Sequence, residues 1–227
     1  MSKHLQNEIE NLKRRLLTIG ASVIDAIQKS LFALEERRAD VAAQVMEGDK
    51  KIDAAEVELE EDCLKLLALY QPVAEDLRFI AAVMKINSDL ERMGDEAVNI
   101  AEHASFLAHQ LPLPVPVQFN AITTASLRMV WESLDAFVEG NAEDARRICA
   151  EDDEVDHLNQ EIISALWKMM RDDPEIVERA THMFSVSRHL ERIADHATNI
   201  AEDVVYMVEG KIIRHNASEY FAQSESD

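Results

Sequence analysis

"DLERMGDEAVNIAE" spans residues 89–102 and "HLERIADHATNIAE" spans residues 189–202. Nine of their fourteen positions are identical, in register and without a gap. A second, shorter correspondence lies upstream of each. "DKKID" at 49–53 answers "DDEVD" at 152–156, now at an offset of 103. Each half of the chain therefore carries Asp-x-x-x-Asp followed by Glu-x-x-x-Asp. Internal similarity at a fixed spacing is the mark of duplication, so the chain reads as two copies of one unit.

Between the copies stands "LPLPVPV", residues 111–117. Alternating prolines cannot continue a helix, because each lacks the amide proton and clashes with the preceding turn; they form a stiff linker. The first unit is accordingly placed at 1–112 and the second at 113–227. The first half predicts helices over about 4–37, 40–70 and 72–110. The second predicts them over about 119–138, 141–171 and 174–209. Asp40, Asn141 and Asp173 are the expected N-caps, Pro72 and Pro174 the expected first-turn residues, and Gly140 and Gly210 the expected stops. The last ten residues, "SEYFAQSESD", are expected to fray. The fold class is all-α: six helices forming two similar three-helix bundles.

Composition agrees and narrows the function. Apolar residues make up 47%, enough for a sizeable core, while Gly and Pro number only five each, as helices require. The formal net charge is -21. Such a chain repels phosphate backbones, which argues against nucleic acid as a partner. Cys63 and Cys149 are too few for a disulfide framework or a thiolate metal site and read as core residues in a reducing compartment. No N-terminal apolar segment suggests a secretory signal, and no run of about 20 apolar residues suggests a membrane span. The expectation is a soluble, intracellular protein.

The acidic motifs carry the chemistry. Residues four apart share a helix face, so Glu91 and Asp95 point the same way, as do Glu191 and Asp195. Traced toward the N-terminus, that face becomes apolar: Met84, Ile80 and Leu77 in one copy, Phe184, Ala180 and Val177 in the other. The second and third helices of each unit are joined by a short turn and should run antiparallel. Asp53 lies 18 residues before Gln71 and Glu91 lies 19 after Pro72. At about 1.5 Å per residue they reach the same height. Asp49 meets Asp95 by the same count. In the second unit Asp156 meets Glu191 and Asp152 meets Asp195. Each unit thus gathers four carboxylates at one level: Asp49, Asp53, Glu91 and Asp95, then Asp152, Asp156, Glu191 and Asp195.

Four close carboxylates either rise in pKa or hold a cation. An oxygen-only set suits magnesium, manganese or iron, with zinc admissible. A plain solvated acidic face is the competing reading for any one pair, and Arg92 and Arg192 could pair with neighbouring acids. The register, found twice, favours the metal. His196 is a candidate accessory ligand, whereas His103 and His189 read as ordinary polar residues. The spacing lacks the Glu-x-x-His signature of di-iron bundles. No glycine-rich phosphate loop and no nucleophile–base pair stands out, so no catalytic residue is assigned.

At this point "YQPVAEDLRFIAAVMKINSDLERMGDEAVNIAE" resembles the signature third helix of the PhoU family of phosphate-signalling and phosphate-transport regulators. "HLERIADHATNIAE" resembles its second copy. The resemblance runs from Leu5 to about Val208. It implies two similar three-helix bundles that bind transition-metal ions, iron or zinc among them, singly or as multinuclear clusters. The ligands implied are the eight carboxylates already named. It further implies a non-enzymatic negative regulator of the phosphate-starvation response that restrains phosphate uptake. Its partners would be a phosphate ABC transporter and a sensor histidine kinase. It would be a homodimer in the cytoplasm, held peripherally at the inner membrane by those partners. Glu56 is answered by Asn159, so the second cluster is expected to hold fewer ions. The competing classes are a carboxylate-bridged metalloenzyme, such as an oxidase or phosphohydrolase, and a metal-free helical scaffold or chaperone.

Overall fold

The structure is a computed structural model, and it describes residues 3–114, 116 and 118–213. Six long helices are present: α1 Lys3–Glu35, α2 Ala39–Tyr70, α3 Ala74–Ala108, α4 Gln118–Glu139, α5 Ala142–Asp172 and α6 Val177–Glu209. A 3-10 turn, Pro174–Ile176, leads into α6, and no strand occurs among the described residues. α1, α2 and α3 pack as one three-helix unit, and α4, α5 and α6 pack as the other. The expected all-α duplication is therefore the observed fold. Residues 111–114 and 116 of the proline segment are non-helical. Val115, Val117 and the C-terminal stretch for which fraying was expected lie outside the described residues.

The helix ends follow local chemistry, with two corrections. Asn141 caps α5 as expected: its side chain accepts from the amides of Glu143 and Asp144, both at 3.1 Å. Asp173 accepts from the Glu175 amide and so caps the 3-10 turn, with Pro174 at its first position. Asp40 is not a cap. α2 begins one residue earlier, and Asp40 lies in its first turn, held by Arg38 Nε at 2.8 Å and Nη2 at 2.7 Å. Pro72 does not open α3, which starts at Ala74. It follows Gln71, whose left-handed backbone (φ 46°) ends α2 by turning its amide back to Leu67, so the proline serves as a stop beyond a C-cap. Gly210, at φ 72°, ends α6 in the same left-handed way, where a side chain would be strained.

The two units do not sit apart as separate cores. α3 and α6 pack along each other, and one continuous apolar core runs through both units. The contact is antiparallel: Lys85 reaches Asp203, Asp89 reaches His196, Glu96 reaches His189 and His103 reaches His182. As position numbers climb along α3 they fall along α6, so a pseudo-two-fold axis relates the halves. The ends are tied reciprocally. Arg78 at the start of α3 donates to Met207 O near the end of α6, and Arg179 at the start of α6 donates to Leu111 O and Pro112 O beyond the end of α3. Cations at helix C-termini satisfy carbonyls left without an intrahelical partner. A second, smaller contact joins α1 to α4. There Gly20 allows an approach so close that a Cβ would stand 2.9 Å from Leu134 Cδ1.

By length and composition alone α1 could cross a membrane. Its apolar residues are not spread round the helix, however. Leu5, Leu12, Leu16, Ile19, Val23, Ile24 and Ile27 are buried in the core, with polar residues on the opposite face. That is the amphipathic pattern of a core-facing helix.

Candidate functional site

Each acidic set lies where an Asp-x-x-x-Asp turn of one helix faces a Glu-x-x-x-Asp turn of the next. The predicted register is the one observed. Asp49 on α2 stands against Gly94 on α3, so near that a Cβ on Gly94 would lie 3.4 Å from Asp49 Oδ1. This places Asp49 beside Asp95, its neighbour on α3. The two sets share a pattern of exposure: Asp49, Glu91, Asp152 and Glu191 are half-buried, whereas Asp53, Asp95, Asp156 and Asp195 face solvent. Both sets thus lie at the rims of the helix pairs, not in the core.

The charges in each set feel one another. Burial raises the Asp49 carboxyl above its ordinary range, and Asp53 and Asp95 push it further. Glu91 is raised by burial, then by Asp95, Asp53 and Glu56, against a smaller opposing pull from Arg92. Asp95 is raised by burial and by Asp53. In the second set, burial raises Asp152, while a hydrogen bond from Thr198 Oγ1 at 3.2 Å opposes the shift. Glu191 is raised by burial and by Asp156 and Asp152, with Arg188 and Arg192 opposing. Asp195 is the most perturbed: burial, Asp152, Glu191 and Asp156 together push it up to about 6. Carboxylates in this condition favour a proton or a cation. As the side chains stand, no three His, Cys, Asp or Glu groups among the described residues converge tightly enough to enclose an ion.

The first set extends where the second does not. Glu56, raised by burial and by Glu60 and Asp53, accepts from Asn87 Nδ2 at 3.1 Å, and the same nitrogen donates to Glu56 O at 2.9 Å. At the matching place in the second unit, Ser187 Oγ donates to Asn159 Oδ1 at 2.6 Å.

Among the described residues, His196, His189 and His103 find partners outside both sets. His196 Nδ1 is engaged by Asp89 Oδ1 at 2.9 Å, across the α3–α6 seam, so the candidate accessory ligand has another partner. Asn199 also donates to Asp89, at 3.3 Å. His189 pairs with Glu96, which Arg192 also reaches at 3.4 Å. These contacts hold the Glu96 carboxyl below its ordinary value even though burial alone would raise it. His103 and His182 share a hydrogen bond between Nδ1 atoms at 2.9 Å, and His182 stacks on Phe106. Burial and the two neighbouring imidazoles push His103 down to about 4. The seam is thus a buried polar ladder, which reading His103 and His189 as ordinary polar residues missed. A signal was present: Asp89 is answered by His189 and Glu96 by His196. An acid-for-histidine exchange at positions seven apart is what a two-fold antiparallel contact needs for opposite partners to meet.

Cys63 and Cys149 are both buried, and burial pushes each thiol up to about 12, which leaves them unreactive.

The PhoU domain family matches this chain twice, at residues 16–104 and 121–204, once per three-helix unit. The chain is 41% identical over 211 residues to the phosphate-specific transport system accessory protein PhoU homolog of Aquifex aeolicus, covering 93% of this chain and 96% of that protein. Among solved structures it is similar to PhoU from Pseudomonas aeruginosa, with a TM-score of 0.88 at 36% identity over 91% of this chain and 99% of that one. It is also similar to the phosphate transport system regulatory protein PhoU from Streptococcus pneumoniae, with a TM-score of 0.86 at 30% identity over 92% and 98%. Helix order, duplication and acidic motifs coincide with matches that run across both halves: the chain belongs to the PhoU family.

Proposed function

We propose that this protein is a metal-binding negative regulator of the phosphate-starvation response. It acts without catalysis, links a phosphate ABC transporter to a sensor histidine kinase, and restrains phosphate uptake. The reading is carried by similarity along nearly the whole chain to proteins named as accessory or regulatory to phosphate transport. It works as a homodimer at the inner face of the cytoplasmic membrane, brought there by its partners.

The metal part is supported by the donor chemistry of the two acidic sets. Asp49, Asp53, Glu91 and Asp95 would hold one ion or cluster, and Asp152, Asp156, Glu191 and Asp195 the other. All eight offer oxygen, which suits iron, zinc, manganese or magnesium. A bound cation supplies positive charge that offsets the mutual repulsion raising Asp49, Glu91, Asp95, Asp152, Glu191 and Asp195. The donors stand on two different helices in each unit, so a bound cation would brace α2 against α3, or α5 against α6. The metal is then a support that fixes the surface the partners read.

The test is Glu91→Ala with Asp95→Ala. Metal content of the purified variant should fall by the share of the first unit. In cells, a phosphate-starvation reporter should rise in high phosphate, and binding to the kinase's cytoplasmic portion should weaken. Full repression and unchanged binding, with that metal gone, would show that the carboxylates do not serve signalling.

A further inference from the structure

The α3–α6 seam is closed differently at its two ends. At one end Lys85 Nζ donates to Asp203 at 2.8 Å, so a cation supplied by the chain itself joins the two units. The 100-residue repeat carries Lys85 to Ser185 and Asp203 to His103. At the matching end the lysine is therefore missing, and Ser185 Oγ donates within its own helix to Thr181 O. His103 stands there against His182, with the two Nδ1 atoms 2.9 Å apart and the rings nearly perpendicular, at 77°. Both residues are half-buried. His182 is fixed by stacking on Phe106, and His103 stacks on His189 with ring centres 5.4 Å apart.

Both rings are neutral near pH 7. Burial, His182 and His189 hold His103 down at about 4, and burial lowers His182 against an opposing pull from Glu178, one turn earlier on α6. Neutral imidazole is the form that ligates metals. The spacing selects the kind of metal. Metal–imidazole bonds run about 2.0–2.1 Å, which puts two ligand nitrogens about 2.8–3.0 Å apart at a right angle and about 3.3–3.4 Å apart in a tetrahedron. The observed 2.9 Å fits the right angle. Tetragonal coordination with nitrogen ligands is the habit of copper(II) and nickel(II).

We propose that the His103–His182 pair is a site for a nitrogen-seeking divalent cation of tetragonal habit, copper(II) or nickel(II), bound by both Nδ1 atoms at the end of the α3–α6 seam. Among the described residues no group of three or more His, Cys, Asp or Glu side chains gathers to hold an ion, so water fills the remaining positions and the ion exchanges readily. No proton is lost on binding. Without the ion one ring holds the shared proton at Nδ1; with the ion that ring carries its proton at Nε2. The ion does at this end what Lys85 does at the other, tying the C-terminal half of α3 to the N-terminal half of α6. The site shares no residue with either acidic set and does not depend on the metal reading given above.

The test is an equal amount of Cu2+ added to the metal-stripped full chain carrying His4→Gln, which removes an exposed histidine near the N-terminus. Electron spin echo spectroscopy counts the imidazoles on the copper, and an all-oxygen site gives none. Two are expected. His103→Gln and His182→Gln should each bring the count below two and weaken this binding by about tenfold or more. His157→Gln, which removes an exposed histidine beside Glu161, should leave both unchanged. Cu2+ should also raise the melting temperature of the parent more than that of either variant. Melts of the metal-free variants show whether each folds, and His182→Gln decides if His103→Gln does not. A parent count below two overturns the site whatever the variants do, and so does a two-imidazole signal that survives both substitutions. Either result leaves the acidic sets untouched, because their copper would be bound through oxygen alone.

Discussion

Replacing Asp195 by Asn should stabilise the metal-free protein at neutral pH, and the gain should shrink in acid. Asp195 shifts from 3.8 to about 6 on folding, driven by burial, Asp152, Glu191 and Asp156. A carboxyl raised in this way binds its proton more tightly when folded. Its charged form therefore destabilises the fold near pH 7.5, and the penalty is relieved as pH falls through 6 toward the unfolded value. The full gap corresponds to about 3 kcal/mol. Asp195 is solvent-exposed, so screening removes about half and leaves about 1.5 kcal/mol. For a chain of this size that is a rise in Tm of about 3–6 °C near neutral pH. Near pH 5 the folded carboxyl is largely protonated while the unfolded one is still charged, so about half of the gain should remain, and near pH 4 about a fifth. The assay is thermal unfolding of chelator-treated, dialysed wild type and variant at the three pH values. Comparing the two proteins at each pH cancels the contribution of His103. Its depressed value, about 4, makes the chain lose stability as pH falls below 6.5, the opposite direction to Asp195. A variant less stable than wild type near pH 7.5, or a gain that does not change between pH 7.5 and 4, would refute the idea that these carboxylates are held in mutual repulsion.

Three further outcomes are expected. Asn141→Ala removes the acceptor for the amides of Glu143 and Asp144 and should cost about 1 kcal/mol, read as a lower urea midpoint with an unchanged slope. Gly20→Val drives a branched side chain into Leu134 where α1 meets α4 and should cost about 1–3 kcal/mol; an unchanged melting temperature would mean that this contact is loose. Glu96→Gln and His189→Gln, made singly and together, should show a coupling of about 0.5–3 kcal/mol near pH 6 in a double-mutant cycle; strict additivity would remove the pair from the forces that hold the two units together.

What the sequence by itself determined was local and periodic. The repeat of "DLERMGDEAVNIAE" as "HLERIADHATNIAE", the proline segment and the three-and-four spacing of apolar residues were enough for six helices in two units. The turn positions were enough for the antiparallel register that sets Asp49 beside Gly94 and Asp95, because a helix rises by a fixed amount per residue. Asn141, Gly140 and Gly210 could be read as helix ends because capping depends on neighbours a few positions away.

Tertiary structure decided what depends on partners far along the chain. That α3 of one unit packs on α6 of the other is not encoded in either helix's own periodicity, since an apolar stripe does not name the stripe it will meet. Only the assembled seam gives Asp89 to His196 and Glu96 to His189, and so takes His196 away from the carboxylates. Leu77 and Val177 were read as the apolar lower ends of their stripes, yet they are 45% and 43% exposed. Each lies at a helix end beyond the reach of its neighbours, which periodicity cannot reveal. The unsatisfied oxygen of Asn87 is likewise a tertiary fact. Nothing in the sequence distinguishes an asparagine whose nitrogen is claimed by Glu56 from one with both ends in water. Hydrogen-bond satisfaction belongs to the packed interior, where donors and acceptors from distant segments either meet or do not.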